Sequence, residues 1–259
     1  MSEIKSRILE LRNLIIEHNH NYYDLDKNVI SDFEYDSLIN ELIKLENQYP
    51  EFQDQNSPSK RVGGGLSDKF NSESHIFQMY SLDNTYSDTE LETWFNRIVK
   101  LIQVDDFEFC CELKYDGASV NLLYEDGQLV RALTRGDGYQ GDNITNNLKT
   151  INSIPLKLKN NFFPNKFEIR GEIIIPSGAF NSLNEKRKQI GLPLFMNPRN
   201  TASGSIKLLD SKEVARRPLE CFLYSVISDD ENINNHSDLL NMARDMGFNV
   251  PLYEKVVKG

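Results

Sequence analysis

The sequence predicts an α+β protein, with a small N-terminal helical subdomain and a larger domain built on antiparallel sheets. In the first 50 residues, apolar side chains recur at helical spacing. After about residue 107, short runs rich in β-branched and aromatic residues alternate with turn residues and a few helical segments. Strands and helices in mixed order, with hairpin signals, argue against a doubly wound parallel sheet.

Two helices are predicted before residue 50. The first has an apolar face that consists of Ile4, Ile8, Leu11 and Ile15. Ser31 and Glu34 have the spacing of a capping box, which predicts the start of the second helix, and Pro50 marks its end. The run Val62-Gly63-Gly64-Gly65 predicts a flexible tether to the larger domain.

The larger domain is predicted to begin at about residue 67. Its predicted strands lie near residues 107–114, 119–124, 129–135, 167–175 and 219–228. Asp126-Gly127 predicts a tight hairpin turn between the second and third strands. Its predicted helices lie near residues 88–101, 142–149 and 237–246, with a further helix that is capped by Ser177 and ends at Gly191.

Composition and charge exclude several classes of protein. No apolar run approaches the roughly 20 residues that cross a bilayer, and the N-terminus lacks the apolar stretch of a secretory signal. We therefore expect a cytoplasmic protein with no membrane partner. The net charge of −10, from 29 basic and 39 acidic residues, disfavours tight binding of duplex DNA by this chain alone. The odd count of three cysteines predicts reduced, buried thiols, and no zinc-site spacing is present.

Residues 112–117 read Glu-Leu-Lys-Tyr-Asp-Gly and follow an apolar run that predicts a buried strand. This places Lys114 between Glu112 and Asp116, before a glycine at which the backbone can turn. Partial burial at a strand end would favour the neutral, nucleophilic amine, whereas the two acids would favour the ammonium form. Mg²⁺ held by such acids would offset their effect. On these residues alone, a solvated lysine beside a turn is the commoner interpretation.

Two other segments carry charges beside apolar strands. Glu172 lies in Arg170-Gly171-Glu172, which interrupts a β-branched run. It could pair with Arg170 on one strand face, or bind a ribose hydroxyl or a metal. The loop from Thr134 to Asp142 is rich in glycine, which permits positive φ and close backbone approach. Arg135 could bind a phosphate there, although an ordinary turn is the alternative.

Between the apolar faces of the N-terminal helices lies a group of aromatic and acidic residues: Tyr22, Tyr23, Asp32, Tyr35 and Asp36. Asp32 and Asp36 share a helix face and repel each other. A cation would relieve this repulsion, and a tyrosine ring could stack on it. The alternative is an amphipathic helical hairpin whose first-turn acids are stabilised by the helix dipole.

These segments, together with Asn-Pro-Arg-Asn-Thr-Ala-Ser-Gly-Ser at residues 197–205, resemble the adenylation region of bacterial NAD-dependent DNA ligases. The wider group of lysine nucleotidyltransferases includes ATP-dependent ligases and mRNA capping enzymes. The resemblance covers essentially all 259 residues. It implies a helical subdomain with its tether at residues 1–66, which binds nicotinamide mononucleotide (NMN). Residues 67–259 would form the nucleotidyltransferase domain, C-terminally incomplete because a later Asp-Gly-Val-Val-Ile-Lys-type motif is absent.

The resemblance also implies roles for individual residues. Lys114 would attack the α-phosphorus of NAD⁺ to form lysyl-AMP, and Asp116 would orient the lysine or Mg²⁺. Glu112 would bind adenine, Glu172 ribose, and Arg135 and Arg199 the phosphates or the departing nucleotide. Ser81 and Leu82 match a cofactor-contact segment of the family. Tyr224 would stack on adenine, although a core tyrosine is the alternative. The expected contacts of the nicotinamide nucleotide are Tyr22, Tyr23, Asp32, Tyr35 and Asp36. Lys207 stands where the family pattern has arginine, so a bidentate contact is lost.

The expected partners are NAD and nicked duplex DNA, the latter bound through domains missing from this chain. We expect a monomer that cannot seal a nick by itself. Two alternatives stay open at this point: an ATP-dependent nucleotidyltransferase, and a non-catalytic NAD-binding fragment.

Overall fold

The structure is a computed structural model that describes residues 2–19, 21, 29–54, 57–60, 70–103, 106–158, 164–228, 235–251 and 254–258. The helices within these ranges are α1 (Ser2–Asn19), α2 (Asp32–Gln48), α3 (Asp88–Ile102), α4 (Thr145–Leu148), α5 (Ser177–Gln189), α6 (Pro198–Ile206), α7 (Ser211–Ala215) and α8 (His236–Met246). The strands are β1 (Ser72–Ser74), β2 (Glu108–Glu112), β3 (Ala118–Glu125), β4 (Gln128–Thr134), β5 (Gln140–Asp142), β6 (Lys166–Ile174), β7 (Glu220–Ile227) and β8 (Glu254–Lys258). The α+β class is confirmed, since helices accompany sheets whose pairings are antiparallel.

Helices α1 and α2 form a hairpin with its own small core. Ile8, Leu11 and Ile15 are buried against Leu42, as their helical spacing predicts. The predicted capping box is confirmed, because the Ser31 side chain accepts from the Glu34 amide and the Glu34 carboxylate accepts from the Ser31 amide. The predicted tether at residues 62–65 lies outside the described residues.

A four-stranded sheet in the order β4-β3-β6-β7 forms the centre of the larger domain. The predicted hairpin at Asp126-Gly127 is confirmed, and both residues have positive φ, 48° and 72°. One face of the sheet is apolar and buries Val120, Leu122, Tyr124, Ile169 and Ile173. Helices α4, α6, α7 and α8 contribute to the same core through Leu148, Ile206, Val214 and Leu240, among others.

The opposite face of this sheet is polar. The register pairs Ser119 with Glu172 and Asn121 with Arg170, so these four side chains share that face. The segment 75–79 covers one part of it. Arg170 Nη2 donates to the carbonyl oxygens of Phe77 and Gln78 at 3.1 and 2.8 Å. The pair between Arg170 and Glu172 that the sequence allowed is therefore replaced by separate partners.

The prediction that β2 is a buried strand is wrong. Within the described ranges, β2 pairs with β8 in a two-stranded ribbon and with no further strand. One face of the ribbon packs on α3, where Phe109 lies 5.5 Å from Trp94 and 5.8 Å from Phe95 between ring centroids. Cys111 is exposed and Cys110 half-buried, so the expectation of buried thiols holds only for Cys221. An aromatic run predicts a strand but not how many of its faces are covered.

Two further details differ from the sequence prediction. Ser177 does not cap α5: it is the first helical residue, and Pro176 precedes it without a side-chain cap. Helix α6 was not predicted, although Asn197 and Pro198 begin it as N-cap and first helical residue. Among the residues that the structure describes, no helix has the length and apolar character to cross a membrane.

Candidate active site

Lys114 lies in the loop that joins β2 to β3, and this loop is attached to the polar face of the sheet. The Tyr115 ring stacks on Phe222 of β7, with 4.6 Å between centroids and 5° between ring planes. The Gly117 amide donates to Glu172 Oε1 at 3.1 Å. Lys114 itself is exposed, so the expectation of partial burial is wrong. The residues around the lysine are anchored while its amine remains accessible.

Gly117 permits the close approach of this loop to β6. A Cβ atom at this position would lie 2.1 Å from the Ile173 carbonyl oxygen and 2.9 Å from the Ile173 carbonyl carbon. Neither is the end of a flexible side chain, so the loop would have to move. Glycine is thus required here by a contact with backbone, in addition to the turn that the sequence suggested.

We expect Gly117→Ala to destabilise the chain by roughly 1–3 kcal/mol, because the added methyl group forces the loop from β6 and breaks the Gly117–Glu172 hydrogen bond. Urea unfolding followed by circular dichroism measures this. Gly178→Ala is the matched control, since a Cβ there meets no atom within 4 Å in helix α5. The control should be neutral or stabilising by up to about 1 kcal/mol. Equal stability of the two variants would contradict the close approach.

Glu172 is a titratable group on the polar face with an unusual environment. Burial raises the pKa of its carboxyl from the ordinary value to about 7, and the charge of Asp116 adds to this shift. Lys114, the Gly117 hydrogen bond and Arg199 act in the opposite direction and lower the pKa. These interactions place Lys114, Asp116 and Arg199 near Glu172. The structure therefore brings together four of the predicted site residues from three separate parts of the chain.

Arg199 reaches this group from the first turn of α6. Its Nη1 lies 3.0 Å from Asp116 Oδ1, in a solvent-accessible ion pair. The Asn197 side chain accepts from the Asn200 amide at 2.7 Å and so fixes the start of the helix that carries Arg199. Lys207, just after the end of α6, lies 3.0 Å from the fully buried Asp142 carboxylate. Its charge is used to neutralise Asp142 within the fold.

Arg135 and Tyr224 lie beside Ser119 at the polar face of the sheet. The Tyr224 hydroxyl is 2.8 Å from Ser119 Oγ, and burial raises the pKa of Tyr224 while the nearby charges of Arg170 and Arg135 oppose this. The glycine-rich loop uses positive φ, as predicted, at Gly136 (56°) and Gly138 (92°). Both Arg135 and Tyr224 are half-buried beside Ser119 and Glu172, which are paired in the register.

His75 is a residue of this region that the sequence analysis missed. Its Nδ1 lies 3.0 Å from Asn121 Nδ2, and its Nε2 lies 3.0 Å from the Arg135 carbonyl oxygen. Burial lowers the pKa of His75, which favours a neutral ring that accepts from Asn121 and donates to Arg135. His75 thereby holds the Arg135 loop on the sheet. No local pattern marks this histidine, because its partners lie 46 and 60 residues away.

The Glu112 side chain contacts a histidine, which was not expected of an adenine ligand. Its Oε1 lies 2.6 Å from Nε2 of His236, the first residue of α8. Its backbone pairs with Glu254 of β8. The two acids that flank Lys114 therefore have separate surroundings: Asp116 faces Arg199, and Glu112 faces α8.

Of the expected nicotinamide contacts, Tyr22 and Tyr23 lie outside the described residues, as does the side chain of Asp32 at the start of α2. Tyr35 is half-buried against the core of the hairpin. Asp36 contacts the larger domain: its Oδ2 accepts from Asn84 Nδ2 at 2.7 Å and from the Tyr86 hydroxyl at 2.6 Å.

The expected contacts Ser81 and Leu82 are both exposed, next to Asn84. Leu82 and Asp36 line one groove of about 560 Å³, together with Trp94 and Arg97 of α3. The structure thus places one predicted residue of each subdomain in a shared cleft.

Two family models match different parts of this chain. A family model described as the NAD-dependent DNA ligase adenylation domain matches residues 67–259. A second, described as the DNA ligase-like, N-terminal NAD+-binding domain, matches residues 1–63.

Similar relatives include proteins named DNA ligase. The one from Christiangramia forsetii is 52% identical over 249 residues, which are 96% of this chain and 37% of the relative. The one from Flavobacterium johnsoniae is 50% identical over 254 residues, with coverage of 98% and 38%. The one from Bacteroides fragilis is 46% identical over 253 residues, with coverage of 97% and 38%. The chain thus spans little more than a third of the length of these relatives, and it belongs to the NAD-dependent DNA ligase adenylation-domain family.

Proposed function

We propose that this chain transfers AMP from NAD⁺ to the amine of Lys114. The observation that carries the proposal is the grouping of an accessible lysine with Asp116, Arg199 and the half-buried Glu172 on the polar face of the sheet. A structural lysine beside a turn would not require a carboxyl of raised pKa and an arginine around it. Such a grouping is typical of functional sites.

In this reaction the neutral Lys114 Nζ attacks the α-phosphorus of NAD⁺. A P–N bond forms, the P–O bond of the pyrophosphate breaks, and NMN leaves with the electron pair. The lysine must first lose a proton. Lys114 is exposed, which gives this proton a path to solvent. Arg199, which is paired with Asp116 of the Lys114 loop, would stabilise charge on the phosphates.

Glu172 and Arg135 are suited to hold the dinucleotide in line for the attack. A carboxylate beside a polar sheet face can accept hydrogen bonds from ribose hydroxyls, and substrate binding would favour the ionised form of Glu172. Arg135 has the planar donor fork that suits phosphate. We assign Tyr224 and Glu112 to adenine, as the family resemblance implies. To bind adenine, Glu112 must give up its contact with His236.

We infer that Mg²⁺ takes part in the reaction. Asp116 and Glu172 offer oxygen donors, which Mg²⁺ prefers, together with substrate phosphates. The ion would supply charge neutralisation at the phosphates as NMN departs. Asp116 would exchange its ion pair with Arg199 for this role, which would free Arg199 for the phosphates.

We infer that NAD⁺, and not ATP, is the AMP donor, because the chain carries the helical hairpin with Asp36 in front of the larger domain. The division at residues 1–66 and 67–259 remains our proposal for the two functional parts. Nick sealing and binding of nicked DNA are proposed for the longer protein of which the relatives are examples. The monomeric state and the cytoplasmic location stay predictions.

Intact-protein mass spectrometry tests the donor. We expect the chain with NAD⁺ and Mg²⁺ to gain the mass of one AMP, and ATP to give no adduct. Asp36→Asn should reduce the rate with NAD⁺ by at least tenfold, because the amide loses the charge that pairs with the pyridinium. Glu51→Gln, which changes an exposed acid in the short turn after α2, is the control and should leave the rate unchanged. An adduct from ATP at an equal rate would overturn the assignment of the donor.

A further inference from the structure

A second cluster of chemically reactive side chains lies away from Lys114, where the β2–β8 ribbon meets α8. Cys110 Sγ, a Glu112 carboxylate oxygen and a His236 ring nitrogen all lie within 4.8 Å of one another, and all three residues are half-buried. Within this cluster, Nε2 of His236 is 2.6 Å from Glu112 Oε1. The cluster joins residues up to 126 positions apart, so no spacing in the sequence could reveal it.

The fold holds each of the three side chains on a regular element. Cys110 and Glu112 are two apart on β2 and therefore project from the same face of the ribbon. His236 begins α8, whose start is fixed by the N-cap Asn235 through a hydrogen bond to the Asp238 amide at 2.8 Å. The cluster is thus built on a strand and on a capped helix.

Two charged residues beside the cluster, Glu254 and Arg244, pair with each other. Glu254 lies opposite Glu112 in the ribbon, and its carboxylate is bound by Arg244 through two contacts of 3.0 Å. This ion pair engages the Arg244 guanidinium with a carboxylate that is not a member of the cluster. The thiol, the carboxylate and the imidazole therefore remain available to a ligand of their own.

One thiol, one carboxylate and one imidazole form a donor set that suits Zn²⁺, whose bonds to sulfur, nitrogen and oxygen are about 2.3, 2.0 and 2.1 Å long. For a tetrahedral ion, those lengths require ligand atoms roughly 3.3–3.8 Å apart. The Glu112 and His236 atoms need to separate by less than about 1 Å to reach this, within the range of rotamer adjustment. We propose that Cys110, Glu112 and His236 bind Zn²⁺, with the fourth position left to water.

An occupied site would compete with the cofactor. Glu112 is the residue assigned above to adenine, and coordination of its carboxylate to Zn²⁺ neutralises the negative charge that would attract the base. Zn²⁺ at this position therefore inhibits adenylation in competition with NAD⁺. This consequence rests on the proposed function, whereas the metal site itself does not.

Titration of the 259-residue chain with Co²⁺ under reducing conditions tests the site, because tetrahedral Co²⁺ with a thiolate ligand has visible and charge-transfer absorption. We expect one Co²⁺ per chain, displaced by one equivalent of Zn²⁺. Cys110→Ser should abolish the charge-transfer band, and His236→Gln should weaken binding at least tenfold while the band remains. Cys111→Ser is the matched control, because this exposed neighbour projects from the other face of β2 and should leave the spectrum unchanged.

The proposal is overturned if the wild type takes up no stoichiometric Co²⁺, if the band survives Cys110→Ser, or if Cys111→Ser removes it. Weak uptake that is the same in all variants would mean an adventitious ion only. Thermal unfolding of each variant checks that the fold is retained. Addition of NAD⁺ without Mg²⁺ should raise the apparent Kd for Co²⁺. Suppose that Cys110→Ser alters Co²⁺ binding and NAD⁺ forms the adduct, but NAD⁺ leaves the Kd for Co²⁺ unchanged. The proposed competition between metal and cofactor is then wrong, and the metal site stands.

Discussion

Lys114→Ala should yield no AMP adduct at all with NAD⁺ and Mg²⁺, with a melting temperature close to that of the wild type. The substitution removes the nucleophile, so the covalent step has no acceptor. It removes little else, because Lys114 is exposed and surface substitutions usually change stability by less than about 0.5 kcal/mol. Intact-protein mass spectrometry measures the adduct, and differential scanning calorimetry measures the stability.

Two variants make this result specific. Lys114→Arg keeps the positive charge near Glu172 but lacks a nucleophilic amine, so it should also form no adduct. Lys100→Ala removes an exposed lysine in the last turn of α3 and should form the adduct at the wild-type rate. An adduct on Lys114→Ala would assign the chemistry to another residue and would leave Lys114 with a binding role only.

The local parts of this site could be predicted from the sequence. The glycine-rich loop with positive φ and the Ser31 capping box both depend on residues within a few positions of one another. The hairpin at Asp126-Gly127 has the same origin. Such features follow from backbone and short-range preferences, which is why the structure confirms them.

The predictions that failed, and the contacts that were missed, depend on residues that are far apart in the sequence. Lys114 was expected to be partly buried because an aromatic strand precedes it, yet it lies in the loop beyond the end of β2, where its side chain is exposed. The pairing of Lys207 with Asp142, the position of His75 under Arg135 and the contact of Asp36 with Tyr86 each join distant segments. Hydrophobic periodicity carries no information on these partners, which only the assembled sheet and helices determine.

Glu172→Gln should make the chain more stable at alkaline pH while it impairs adenylation. In the folded chain the carboxyl pKa is about 7, above its ordinary value of 4.5. The folded state therefore holds this proton more tightly than the unfolded state, and this contribution to stability is complete below pH 4.5. It is lost as the pH rises from 4.5 to 7, because the folded chain must then hold an ionised, half-buried carboxylate.

Glutamine is neutral at every pH and can still accept from the Gly117 amide, so the variant avoids this loss. A difference of 2.5 pKa units corresponds to up to about 3 kcal/mol at pH 8, and to almost none at pH 4.5. Urea unfolding at pH 4.5, 6, 7 and 8 measures the difference between the two proteins. Glu185→Gln, an exposed position in α5, should change stability by less than about 0.5 kcal/mol throughout.

The same variant should reduce the rate of adduct formation by at least tenfold, because a neutral amide is a weaker partner than a carboxylate for ribose hydroxyls and for Mg²⁺. Gain of stability with loss of activity would indicate that Glu172 is retained for chemistry, at the expense of the fold. If instead Glu172→Gln is less stable than the wild type at pH 8, the carboxylate stabilises the loop of Lys114. In that case the raised pKa, and with it the argument from a functional carboxyl, is wrong.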